Sequence, residues 1–151
     1  LVPRAKRGHV WAIIQAVFEA KSANRGTDLD QVFSFIAKTQ KRRAVIVVVS
    51  DFLDAKDWSK SLARLSRRHL VHAVMVHDPL DEGLRGLGLV DLVDAETGRQ
   101  WVADGRKLSS GLSVDGRLSQ LRRAGARAVA ISTEDDPYSA LARHFHGSGR
   151  A

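Results

Sequence analysis

The stretch Arg43-Ala-Val-Ile-Val-Val-Val-Ser-Asp-Phe-Leu-Asp54 holds a six-residue apolar run, Ala44 to Val49, that ends on a Ser-Asp pair. Val and Ile dominate the run, and neither Gly nor Pro interrupts it. It therefore reads as a strand buried on both faces. Strands of this kind belong to parallel sheets covered by helices, where ligands sit just beyond the carboxyl ends of the strands. Ser50, Asp51 and Asp54 are thus the first candidates for chemistry or metal binding.

Outward from this strand the pattern alternates. Upstream, Val10, Trp11, Ile13, Ile14, Val17 and Phe18 have helical spacing. A polar loop follows, and Thr27-Asp28-Leu29-Asp30 opens a second helix whose apolar face is Val32, Phe33, Phe35 and Ile36. Thr27 is the expected N-cap. Downstream, a helix over 57–68 turns Trp58, Leu62, Ala63 and Leu65 inward and leads to a strand over 70–76. Strand, helix, strand in this length is a βαβ unit, expected to be parallel and right-handed. Two short alternating runs flanking Asp94 to Gly98 predict a β-hairpin over 88–104. A helix over 112–124 stops at Gly125 in the C-cap role. A third core strand spans 128–132, Pro137 stands in the first turn of a last helix, and 147–151 is a polar tail. Three core strands are few for a doubly wound sheet, so the strand that should open it is expected to be missing.

The 151 residues fit one domain, and the 44% hydrophobic, 27% charged composition is that of an ordinary globular protein. No apolar stretch approaches the roughly 20 residues of a membrane span, and no signal peptide is expected, since no clean apolar core follows the basic residues 1–7. Zero cysteines exclude disulfides and thiolate metal sites and suit a cytoplasmic setting. The net charge of +7 invites an anionic partner. However, Arg67-Arg68 and Arg122-Arg123 end predicted helices, where cations complement the helix dipole without any ligand. Aromatic residues are few and not interleaved with the basic ones, which argues against a nucleic-acid platform.

Asp51 and Asp54 suit a hard cation such as Mg²⁺, which takes carboxylates and waters. The competing reading is structural: Asp54 caps the following helix and Asp51 holds the turn. His69, His72 and His77 have no zinc-site spacing. His144 and His146 do not share a helix face and read as surface residues. Ser50 and Ser132 lie at strand ends but outside any nucleophile elbow, and the glycines of 83–88 do not form a phosphate loop.

Taken in order, these residues resemble a known family. They are Thr27-Asp28-Leu29, then Val-Val-Val-Ser50-Asp51-Phe52-Leu53, then Arg68-His69 with Ala73-Val74, Val76 and Asp78-Pro79. Gly88 to Asp94 with Glu96-Thr97-Gly98 comes next, and last Ile131-Ser132-Thr133 with Asp135, Pro137-Tyr138, Leu141 and Phe145. The set, over 26–146, resembles the C-terminal region of the bacterial domain-of-unknown-function-58 proteins, which carry a von Willebrand factor A-like domain. The resemblance implies a three-layer α/β/α Rossmann-like sandwich, here N-terminally truncated and with an inserted hairpin. It implies a non-enzymatic protein–protein interaction module working with a MoxR-type AAA+ ATPase in the assembly or maturation of complexes. It also implies a metal-ion-dependent adhesion site built from three loops, an Asp-x-Ser-x-Ser, a Thr and an Asp. Thr27 matches the second loop and Asp51 the third. This sequence contains no Asp-x-Ser-x-Ser, so the site is expected as a remnant, empty in this chain, with Mg²⁺ bound only in the complete protein.

Two further expectations follow. The strand Ala44 to Val49, left without its neighbour, offers an open edge for self-association by pairing or element exchange. The complete protein remains open to membrane anchoring outside this chain. The alternatives are a Mg²⁺-dependent hydrolase using Asp51 and Asp54 and a basic nucleic-acid-binding domain.

Overall fold

The computed structural model describes residues 7–20, 27–54, 56–79, 89–93, 98–104 and 113–147. Ten elements follow in chain order: α1 (Arg7–Glu19), α2 (Leu29–Thr39), β1 (Val45–Ser50), α3 (Ser59–Ser66), β2 (Leu70–His77), β3 (Leu89–Val93), β4 (Gln100–Asp104), α4 (Val114–Arg123), β5 (Arg127–Ser132) and α5 (Pro137–Gly147). β1, β2 and β5 form a parallel sheet in that order, with Val45 opposite Leu70 and His72 opposite Arg127. β3 and β4 pair antiparallel as the separate hairpin the alternating runs predict. Its connecting residues 94–97, the glycines of 83–88 and the tail beyond 147 lie outside the described residues.

Side-chain alternation along the strands separates two cores. On one face Val71, Ala73 and Met75 of β2 and Ala128 of β5 meet Leu29 and Phe33 of α2, Leu62 and Leu65 of α3, and Leu118 and Leu121 of α4. Phe52 and Trp58 complete this cluster, with ring centroids 5.7 Å apart. On the other face the buried set is Val74, Ile131 and Ala140, the last from α5. Among the described residues the sheet thus has helices on both sides, three on one and one on the other.

That asymmetry corrects the reading of β1. The strand is not buried on both faces. It is the end strand of the sheet, and its residues alternate between exposed and half-buried. Ile46 and Val48 pack against the first core, whereas Val45, Val47 and Val49 are 63%, 51% and 65% exposed. α5 packs on β5 and leaves these valines bare. Each forgoes on the order of 1 kcal/mol of burial. The apolar face expected of α2 is corrected in part: Phe33 is fully buried and Ile36 packs half-buried against the core, while Val32 and Phe35 are exposed. The core reaches α2 through Leu29 and Phe33, one turn apart on a single stripe. α1 keeps Trp11, Val17 and Phe18 largely exposed and packs extensively on none of the other described elements.

Helix ends follow the sequence logic where local chemistry governs. Arg122 and Arg123 lie in the last turn of α4, and Gly125 takes φ +86° just beyond it. Pro137 is the first residue of α5.

Candidate functional site

The carboxyl end of β1 is shaped by a turn with a cost. Phe52 has φ 55°, a left-handed conformation that strains a residue with a Cβ by on the order of 1–3 kcal/mol. Burial of its ring under Trp58 offsets this. Side chains on either side hold the turn: Ser50 Oγ accepts from Phe52 N at 3.1 Å, and Asp51 Oδ1 accepts from Leu53 N at 3.1 Å. Turning Phe52 inward leaves Asp51 exposed at the sheet's carboxyl end.

Asp54 joins this turn to α2. Its Oδ2 accepts from Leu29 N at 2.7 Å, and its Oδ1 accepts from Lys56 N at 2.9 Å. Asp54 therefore caps α2, 25 residues upstream, rather than the helix that follows it. α3 begins after Trp58 with no side-chain cap. Thr27 is not the N-cap of α2 either. Asp28 takes that role, its Oδ1 accepting from Gln31 N at 2.9 Å. The reason is geometric: Asp28 is the residue immediately before the first helical turn, where a side-chain oxygen reaches the exposed amides. Thr27 is left one position outside, exposed.

The remaining carboxylates are engaged too. Lys56 Nζ lies 2.5 Å from Asp28 Oδ2. The hydrogen bond from this ammonium, then the one from Gln31, holds the Asp28 carboxyl below its ordinary value, and the Lys56 ammonium is raised by the same contact. Ser61 Oγ donates to Asp30. The sequence reading missed Lys56, whose partner is remote in the chain; only its place in an acidic surround hinted at a role.

Of the residues singled out in the sequence, the Asp54–Leu29 bond brings the segments carrying Thr27 and Asp51 to one end of the molecule, without direct contact between those two side chains among the described residues. Asp51 Oδ2 and the Thr27 hydroxyl are the donors left outward. A Mg²⁺ ion takes six oxygens at about 2.0–2.1 Å. One carboxylate oxygen and one hydroxyl fit part of such a shell, the rest being water or another chain's donors. Among the described residues no three His, Cys, Asp or Glu are grouped to hold a metal. Ser132 Oγ accepts from Glu134 N at 3.2 Å, another turn contact.

Of the two α5 histidines, His146 is exposed as expected and His144 is not. His144 is no surface residue: it lies partly buried against the sheet, with Nε2 2.9 Å from His72 Nδ1. His69 is 3% exposed, with neither ring nitrogen hydrogen-bonded. β2 and α5 are adjacent only in space, so spacing in the chain gave no sign of this pair.

A family model described as a protein of unknown function, DUF58, matches residues 1–109. The chain belongs to this family. It is similar to an uncharacterized protein of Mycobacterium avium, 34% identical over 110 residues, covering 72% of this chain and 57% of that one. An uncharacterized protein of Mycobacterium tuberculosis is 33% identical over 97 residues, covering 63% of this chain and 31% of its own length. The chain thus spans about a third to just over half of the curated relatives it matches. Among solved structures it resembles the conserved hypothetical protein BatB from Bacteroides thetaiotaomicron, with TM-score 0.52 and 11% identity over 91% of this chain and 67% of that one. At that identity the likeness speaks for the fold alone, a mixed α/β architecture with a parallel sheet and helices on both sides. In DUF58 terms the described site is the loop after β1 together with the loop before α2.

Proposed function

We propose that this DUF58 chain is part of a non-enzymatic protein–protein interaction module that works with a MoxR-type AAA+ ATPase in assembling or maturing complexes. The observation that carries the reading is the exposed pair Asp51 and Thr27, held at one end of the sheet by the Asp54–Leu29 bond. In the complete protein these two donors contribute to a Mg²⁺ site, the remnant of a metal-ion-dependent adhesion site. Its open position accepts a carboxylate of the partner. The alternative Mg²⁺-dependent hydrolase needs Asp54 as a second ligand. Both Asp54 oxygens already accept backbone N–H groups, which disfavours it. Among the described residues Lys38, Arg64, Arg122 and Arg123 lie in last helical turns, where they complement the helix dipole, which disfavours the nucleic-acid reading.

The test is binding of the complete protein to a MoxR-type AAA+ ATPase, with Mg²⁺ or EDTA, by calorimetry. Asp51→Ala and Thr27→Val are expected to weaken Mg²⁺-dependent binding at least tenfold. Equal affinity in EDTA and with Asp51→Ala would exclude this site. Phosphoester turnover abolished by Asp51→Ala would put the hydrolase first. Self-association through the edge of β1 belongs to the same proposal. It is tested by sedimentation over a concentration series.

A further inference from the structure

β2 and α5 meet through two histidines. The rings of His72 and His144 stand edge to face, 5.0 Å apart at 89°, with Nδ1 and Nε2 2.9 Å from each other. Phe145 covers His72 from another side at 4.9 Å, and His72 is 3% exposed. A hydrogen bond between two imidazole nitrogens requires one proton between them, one ring donating and the other accepting. With both rings protonated, donor faces donor and two cations share a site from which water is largely excluded. Arg127 of β5, opposite His72 in register, adds a permanent positive charge. His72 of β2 and Arg127 of β5 face His144 from the sheet; Arg143 and His146 flank it on α5, and His77 ends β2.

The apolar contribution of α5 to the core is small. Ala140 is its one buried residue, and Leu141 is partly buried beside it. Leu141 and Phe145 also wall an apolar groove of about 440 Å³ whose floor includes Val47, Val74 and Val76.

We propose that the His72–His144 pair is a pH-operated latch: neutral, it holds the C-terminal half of α5 on the sheet, and doubly protonated it releases it, opening the groove. Burial holds both histidines below their ordinary value, with each other and Arg127 adding for His72 and Arg127 for His144. The sign follows. A released or unfolded chain takes protons near pH 6.5, before the latched state does. The latch's contribution is present above that pH and is lost as pH falls through the lower folded values.

The test is amide hydrogen exchange on this chain at pH 7.5 and 5.5, corrected for intrinsic rates. Residues 141–147 are expected to lose protection at least tenfold at pH 5.5 while β2 and α4 keep theirs. Constant protection of α5, or a loss shared by the whole molecule, overturns the latch. His144→Gln keeps a hydrogen-bonding side chain that does not titrate, and is expected to hold α5 equally at both pH values; a retained pH dependence overturns it. Should His144→Gln fail to fold, the wild-type chain still decides through ring-nitrogen chemical shifts. Midpoints for His72 and His144 below that of the exposed His146 support the latch, and midpoints at or above it overturn it.

Discussion

Asp54 satisfies two amides, one in α2 and one in the loop after β1, with one carboxylate. Its replacement by Ala leaves the first amide of α2 without its partner and frees the loop that carries Thr27. The expected loss is about 1–2 kcal/mol, read as a lower urea midpoint at unchanged slope. Gly125 makes a second, sharper case. Its φ is +86°, and a Cβ there would stand 3.0 Å from Ser66 Cβ. Gly125→Ala is expected to cost about 1–2 kcal/mol from backbone conformation, with the contact adding to it. The two positions show what a sequence discloses at this scale. Gly125 was legible because a glycine after a helical run has one dominant use. Asp54 was legible as a capping residue but attached to the wrong helix, because its partner is fixed by tertiary packing. Thr27 and Asp28 are both good caps, and only the start of the helical turn separates them.

At the scale of elements, β1 was legible as a strand and illegible in its environment. A run of Val and Ile has the same composition whether helices cover one face or two. The number of covering helices depends on where α5 packs, which is a fact about β5 rather than β1. The parallel pairing of β1 with β2 was readable, since strand–helix–strand connections of this length favour it; the place of β5 beyond β2 was not. α2 gives a direct check. Phe33 is fully buried and Phe35 is 65% exposed, so Phe33→Ala is expected to cost about 3–5 kcal/mol and Phe35→Ala under about 0.5 kcal/mol, by chemical denaturation. For the open edge, Val47→Lys places a charge on a half-exposed site of the end strand. It is expected to shift sedimentation toward the monomer with little change in unfolding midpoint; self-association unaffected by the charge would remove β1 from the interface.

At the scale of the whole molecule, two chemical signs separate. The chain carries +7 overall, yet the carboxyl end of the sheet presents Asp51, Asp54, Glu134, Asp135 and Asp136. That end attracts cations, but most of its oxygens already accept backbone amides. Added Mg²⁺ at millimolar concentration is therefore expected to stabilise this chain by less than about 0.5 kcal/mol, measured as a thermal shift against Ca²⁺ and EDTA. The placing of Thr27 and Asp51 in two exposed loops was legible. The engagement of Asp28 by Lys56 was not, since nothing local brings residues of different loops together.

The register of the sheet also sets an order of events. Val45 meets Leu70 across one helix, whereas His72 meets Arg127 only after the chain has passed through the hairpin and α4. Closing the second loop, about twice the length of the first, costs roughly 0.6 kcal/mol more in chain entropy. β1, α3 and β2 are therefore expected to assemble before β5 joins them. Substitutions in α3, such as Leu62→Ala, are expected to slow refolding. Those in β5, such as Ile131→Val, are expected to act mainly on the unfolding rate.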